Sequence, residues 1–201
     1  MARRSDHTKD ELKGLILKTS IDIVKNEGFK KLTARRLAKD IGYTPGTIYN
    51  VYESMDGLYF AIKACTLKKL LEAINITSTK SKITDNMKDM AKSYMNFAHT
   101  NRELWLMVFS QSSSHDETTP DYYKELVTEQ FAPLEKMLEP LFQNNQSKDK
   151  AKAARALWAT VHGICLMKET NKLSLLNNSD AFQIIEYMID KFVAGIENTK
   201  P

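Results

Sequence analysis

Apolar residues recur at helical spacing along this chain, and nowhere do they alternate in the two-residue rhythm of a strand. Leu12, Leu15, Ile16, Thr19, Ile23 and Val24 share one stripe and predict a first helix from about Lys9 to Asn26. Glu27-Gly28-Phe29 ends it, glycine being the favoured residue just past a helix terminus. Thr33 caps a short second helix that stops near Gly42. Thr44-Pro45 opens a third, with proline at the first helical position, where its missing N–H costs nothing. A fourth runs from about Asp56 to Asn75. After a polar break the pattern resumes over Thr84–His99, Asn101–Phe109, Pro120 to the Leu138–Phe142 region, Lys148–Glu169 and Ser179–Glu197, with Gln111–Thr119 a polar loop. The expected fold is all-α, with about nine helices.

Composition narrows the class. With 201 residues, 42% of them hydrophobic, the chain is long enough to bury a core in one or two domains. Its apolar runs are only a few residues long, too short for a membrane span, and no apolar stretch follows Arg3-Arg4 as in a secretory signal. Cys65 and Cys165 stand far apart inside helical patterns and read as reduced core residues, without metal-ligand or disulfide spacing. A cytoplasmic protein with no metal and no cofactor is expected. Charge is unevenly spread: residues 1–69 carry 14 Lys and Arg against 8 Asp and Glu, a net +6, while the remainder carries 15 against 17, a net −2. A domain over 1–69 that binds a polyanion, and a second over 70–201 with another task, are the expected division.

Thr33–Tyr52 reads T-A-R-R-L-A-K-D-I-G-Y-T-P-G-T-I-Y-N-V-Y. A helix-turn-helix needs a small residue where its helices cross, here Ala38, and a residue tolerant of left-handed backbone in the turn, here Gly42. Leu37, Ile41, Ile48 and Val51 supply its buried face. With Ile48 and Tyr52 inward, Gly46, Thr47 and Asn50 turn outward, small and polar enough for the helix to enter a major groove. Asn50 suits adenine, Thr47 offers a hydroxyl and a methyl, and Pro45, next to Thr44, could meet a thymine methyl. Thr33 and Arg35 are set for phosphates at a helix start, and Arg3 and Arg4 form a basic arm.

Gly28–Leu58 resembles the DNA-binding domain of the TetR family: the Gly-Phe before Thr33, Thr-Ile-Tyr at 47–49 and Ser-x-Asp-x-Leu at 54–58 carry the likeness, which extends over about Lys9–Lys69. The resemblance implies a homodimeric repressor that leaves DNA when a small molecule binds its C-terminal domain. It also implies Tyr49 as an aromatic phosphate contact. Two positions depart from the family: Val51 stands where His or Tyr is frequent, and Met55 where Lys is usual, both commonly phosphate contacts.

Trp158-x-x-x-His162-Gly163 is similar to the C-terminal domain of a TetR subgroup marked by Trp and His-Gly. Trp158 and His162 stack at i and i+4 on one helix face, and Gly163 allows close approach of another helix. Two readings stand for this region. Trp158 and His162 line a ligand pocket with Tyr94, Phe97, Trp105 and Phe109, or they are ordinary core, as Met87, Met90, Met95 and Met107 at helical spacing also suggest. The last helix is apolar on more than one face. Phe182, Ile185, Ile189 and Phe192 are expected at a dimer interface, so that two recognition helices read a palindromic operator in double-stranded DNA.

An enzyme is not expected, since the sequence has no Gly-rich phosphate loop, ligand cluster or nucleophile motif. The functional expectation is a sequence-specific regulator, most simply a repressor released by a small, largely apolar effector. An activator, a ligand-independent regulator, or an all-α binding protein with a degenerate helix-turn-helix are the alternatives.

Overall fold

A computed structural model describes residues 7–75, 80–109, 119–142, 146–175 and 180–198. Among these, ten α-helices and no strand are present. They are α1 (Lys9–Glu27), α2 (Ala34–Ile41), α3 (Pro45–Tyr52), α4 (Met55–Ile74), α5 (Ile83–Thr100), α6 (Arg102–Phe109), α7 (Asp121–Glu129), α8 (Ala132–Leu138), α9 (Ser147–Glu169) and α10 (Ala181–Asn198). The tenth arises because the expected helix from Pro120 is divided at Gln130–Phe131. Pro133 has no N–H to give the Glu129 carbonyl, and its ring would collide with that turn.

The helix starts are set by local chemistry. Thr8 Oγ1 accepts from the Glu11 N–H and the Glu11 carboxylate accepts from the Thr8 N–H, a reciprocal cap for α1. Thr33 Oγ1 accepts from the Arg36 N–H at 3.2 Å and starts α2.

The packing forms two compact units. In the first, α1 packs on α2, α3 and α6, and residues of α4 up to Lys69 and of α7 up to Leu126 complete it. Its core joins Ile16, Val24, Leu37, Ile48, Leu58 and Ile62, all fully buried, with Leu104 and Met107 from α6. In the second, α10 packs on α5 and α9, and α8 packs on α5 and α9. Met87, Leu138, Ala154, Ile185 and Ile189 are fully or almost fully buried there.

Candidate DNA-binding interface and candidate effector cavity

The turn between α2 and α3 is built on Gly42. Its φ of 74° and ψ of 29° lie in the left-handed region that glycine enters without strain. That geometry turns the Tyr43 N–H to the Ala38 carbonyl at 2.8 Å and the Gly42 N–H to the Lys39 carbonyl at 3.3 Å, satisfying two carbonyls at the end of α2. Ala38, only 1% exposed, lets the helices cross closely. Tyr43 is also held from outside, its hydroxyl 2.8 Å from His7 Nδ1.

The recognition helix α3 is held by two anchors. Ile48 is fully buried, and buried Tyr52 donates its hydroxyl to the Lys13 carbonyl of α1 at 2.9 Å. Desolvation pushes the Tyr52 phenol up to about 12, so it remains a donor across the working pH range. With that face fixed, Thr44, Pro45, Gly46, Tyr49 and Asn50 are exposed and Thr47 is half-buried. Thr44 and Thr47 hydroxyls lie 3.3 Å apart. A Cβ on Gly46 would meet nothing nearer than the Thr44 hydroxyl at 3.7 Å, so within the protomer an alanine would fit there.

Thr33 and Arg35 are exposed at the start of α2. Arg36, beside them, is committed elsewhere: its guanidinium grips both Glu27 carboxylate oxygens at 2.8 and 3.1 Å and Asp40 at 2.7 Å. These acids hold its pKa above the usual value, Glu27 first. Val51 and Met55, at positions where the resemblance implies phosphate contacts, pack against the hydrophobic core. Arg3 and Arg4 lie outside the described residues.

In the second unit, Tyr94 and Trp158 line a small cavity together with Met87, Met90, Ala91, Gln130, Leu134, Leu157, Val161 and Ile189. Its volume is about 40 Å3. Ile74, the last residue of α4, also lines it. His162 braces the two aromatic walls. Its Nδ1 lies 2.8 Å from the Tyr94 hydroxyl, and its ring stacks on Trp158 at 5.0 Å with 13° between the planes. Burial holds the imidazole below its usual value. Phe131 meets Trp158 edge-on at 5.5 Å, with the Arg155 guanidinium 4.9 Å from the Phe131 ring.

The expected aromatic set is therefore not gathered in one place. Phe97 is half-buried on α5 and does not line the cavity. Trp105 is fully buried in the first unit, where it packs edge-on against Phe109 at 5.3 Å. Phe109 itself is 37% exposed. Trp105 and Phe109 lie on α6, which belongs to the first unit, and neither lines the cavity.

The last helix also departs from expectation. Ile185 and Ile189, expected at a dimer face, are buried at 0% and 1% exposure, because α10 turns them toward α5 and α9 of the same chain. Phe182 and Phe192 are half-buried. The outward face of α10 instead carries Ile184, Tyr187, Met188, Lys191 and Gly195, one helical stripe in which Tyr187 is 66% exposed.

Family models match stretches of both regions. Residues 16–62 match the model of the bacterial regulatory proteins of the tetR family. Residues 87–192, more than half of the chain, match that of the tetracyclin repressor-like C-terminal domain. The chain belongs to the TetR family. As a TetR-family transcriptional regulator it binds DNA through its helix-turn-helix. Solved structures share the fold. A protein of unknown function from Rhodococcus sp. RHA1 is 17% identical with a TM-score of 0.74, covering 96% of this chain and 98% of that one. The TetR family regulator PfmR from Thermus thermophilus is 14% identical with a TM-score of 0.62, over 89% and 97% of the two chains. A TetR variant from Acinetobacter baumannii AYE, in complex with minocycline, is 15% identical with a TM-score of 0.65, over 94% and 98%. No curated protein matches the chain. Among the described residues, no helix is long and apolar enough to cross a membrane.

Proposed function

We propose that this TetR-family regulator acts as a homodimeric repressor that reads a palindromic operator and is released by a small, largely apolar effector. The exposed face of α3 carries this reading: Ile48 and Tyr52 anchor the helix while Thr44, Pro45, Gly46, Tyr49 and Asn50 face outward. Asn50 and Thr47 read base edges, with Asn50 paired to adenine, and the bare backbone at Gly46 admits α3 deep into the groove. Tyr49, Thr33 and Arg35 hold phosphates, and the Thr33 hydroxyl, which accepts from Arg36, still has a proton to donate.

Dimerisation is supported by the outward faces of α9 and α10. Ala156, Ala159, Gly163 and Leu166 follow one another at helical spacing on α9, all exposed or half-exposed. A Cβ at Gly163 or at Gly195 would meet nothing within 4 Å, so neither glycine is required by the protomer's own packing. A mid-helix glycine costs about 1 kcal/mol relative to alanine, and close approach of a partner helix offsets it. Two recognition helices then engage half-sites about one helical turn, or a multiple of it, apart.

The effector reading is supported by the cavity walled by Tyr94 and Trp158. Helix α4 offers a covalent route from effector to operator, since Ile74 at its end lines the cavity and Met55 at its start packs beneath the helix-turn-helix. A tenfold loss of operator affinity needs only about 1.4 kcal/mol of effector preference for the released form.

Affinity selection of random and genomic DNA with the purified protein tests this. Enrichment of one palindrome is expected, and Asn50→Ala should weaken binding to it by about 1–3 kcal/mol. Weak, salt-sensitive binding without enrichment would instead favour a degenerate helix-turn-helix.

A further inference from the structure

We propose that the cavity between α5, α8, α9 and α10 takes an uncharged, single-ring aromatic molecule bearing one hydrogen-bonding group, and that it rejects the matching carboxylate. The biological consequence of this binding rests on the effector reading above. The binding itself rests on the chemistry of the walls.

Among the described residues, no lysine, arginine, aspartate or glutamate lines the cavity. A carboxylate buried there would shed its water without meeting a cation, so a charged guest is penalised steeply. Aromatic character follows from the wall. Tyr94 and Trp158 provide rings whose faces and edges favour another ring, and Met87 and Met90 place polarisable thioethers beside it. The polar inventory is small. Apart from the Tyr94 hydroxyl, which meets His162, the side-chain amide of Gln130, a residue only 7% exposed, is the one strongly polar side chain on the wall among the described residues. Each further polar group on the guest, left without a partner, costs about tenfold or more in affinity.

Size sets the remaining limit. At about 40 Å3 the cavity has room for one water rather than an effector. A benzene-sized guest needs roughly 150 Å3. Met87 and Met90 are the walls able to yield, because an unbranched side chain with three rotatable bonds repacks without moving the backbone. Tyr94 and Trp158, clamped by His162, are the fixed ones. The guest therefore enters by displacing methionines against a rigid aromatic wall, which favours a flat ring over a long chain.

Fluorescence gives a local reporter. The chain has two tryptophans, so in Trp105→Phe the single indole is Trp158, at the cavity. This variant is titrated with benzyl alcohol, benzoate and cyclohexylmethanol. A saturable change in Trp158 emission is expected with benzyl alcohol. Benzoate should bind at least about a hundredfold more weakly, and cyclohexylmethanol several-fold more weakly. Ala91→Leu, which fills the cavity from α5, should abolish the benzyl alcohol response. Ala91→Val fills part of the same space if the leucine does not fold by circular dichroism. Equal binding of benzoate overturns the proposal, as does a benzyl alcohol response that survives a folded Ala91 variant, or no response to any probe. Operator release is followed separately by anisotropy of labelled DNA. Binding with this selectivity but without release keeps the ligand class and sinks the effector reading.

Discussion

Gly57 has no side chain because there is no room for one: a Cβ there would stand 2.3 Å from the Tyr52 carbonyl oxygen. Its N–H donates to the Ser54 hydroxyl at 3.0 Å, closing the first turn of α4 directly against the end of α3. Gly57→Ala is therefore expected to cost about 1–3 kcal/mol through forced backbone displacement, read as a lowered Tm together with weakened operator binding. The Ser-x-Asp-x-Leu spacing at 54–58 gives no sign of this in the sequence, since the colliding atom belongs to the preceding helix. Arg36 makes the same point. Sequence alone points its neighbour Arg35 to phosphates and is silent on Arg36, whose guanidinium Glu27 and Asp40 take up. His162 leads to a prediction about pH. Burial lowers its folded pKa below the usual 6.5, so the unfolded chain takes up a proton first as pH falls. Its contribution to stability is complete above pH 6.5 and is lost as pH drops through the folded value. Urea unfolding between about pH 8 and about pH 5 should show a smaller acid loss in His162→Gln than in the wild type, because glutamine does not titrate.

At the scale of elements, the joint between α3 and α4 is unusually tight. Glu53 has φ 64° and ψ −42°, and the Ser54 N–H donates to the Tyr52 carbonyl at 2.7 Å, a γ-turn with positive φ centred on a residue that has a side chain. Such a conformation costs about 1–3 kcal/mol in a non-glycine residue. Glu53→Gly is expected to raise stability by about 1 kcal/mol, with Glu53→Ala giving no comparable gain, both measured by chemical denaturation. Apart from the division between α7 and α8, helix boundaries were legible to within a residue or two because caps are local: Thr33, Gly42 and Pro45 each act on atoms a few positions away. The break between α7 and α8 escapes the sequence pattern although its cause, Pro133, is local, because the apolar spacing continues across it and reads as one helix. Which face of α10 points outward is not local, because its apolar residues cover more than one stripe and the choice depends on α5 and α9.

For the whole molecule, the proposed dimer makes a direct prediction. Gly163 faces open space in the protomer, so Gly163→Arg should leave the helical fold and its Tm nearly unchanged. In the dimer the same arginine would separate the facing helices, giving monomers by analytical ultracentrifugation and a large loss of operator affinity. An unaltered sedimentation coefficient would place the interface elsewhere. The all-α class, the helix spans outside the α7–α8 segment and the helix-turn-helix followed from sequence alone, because periodicity, capping and a left-handed glycine act over a few residues and leave a pattern along the chain. The tertiary structure alone decided the rest. It buried Trp105 on α6 away from the cavity, turned Ile185 and Ile189 inward, and brought Tyr94 beside a histidine that follows it far along the chain. Those outcomes depend on which of several apolar faces meets which neighbour, and hydrophobic burial is non-directional: it demands that such a face be covered without specifying what covers it.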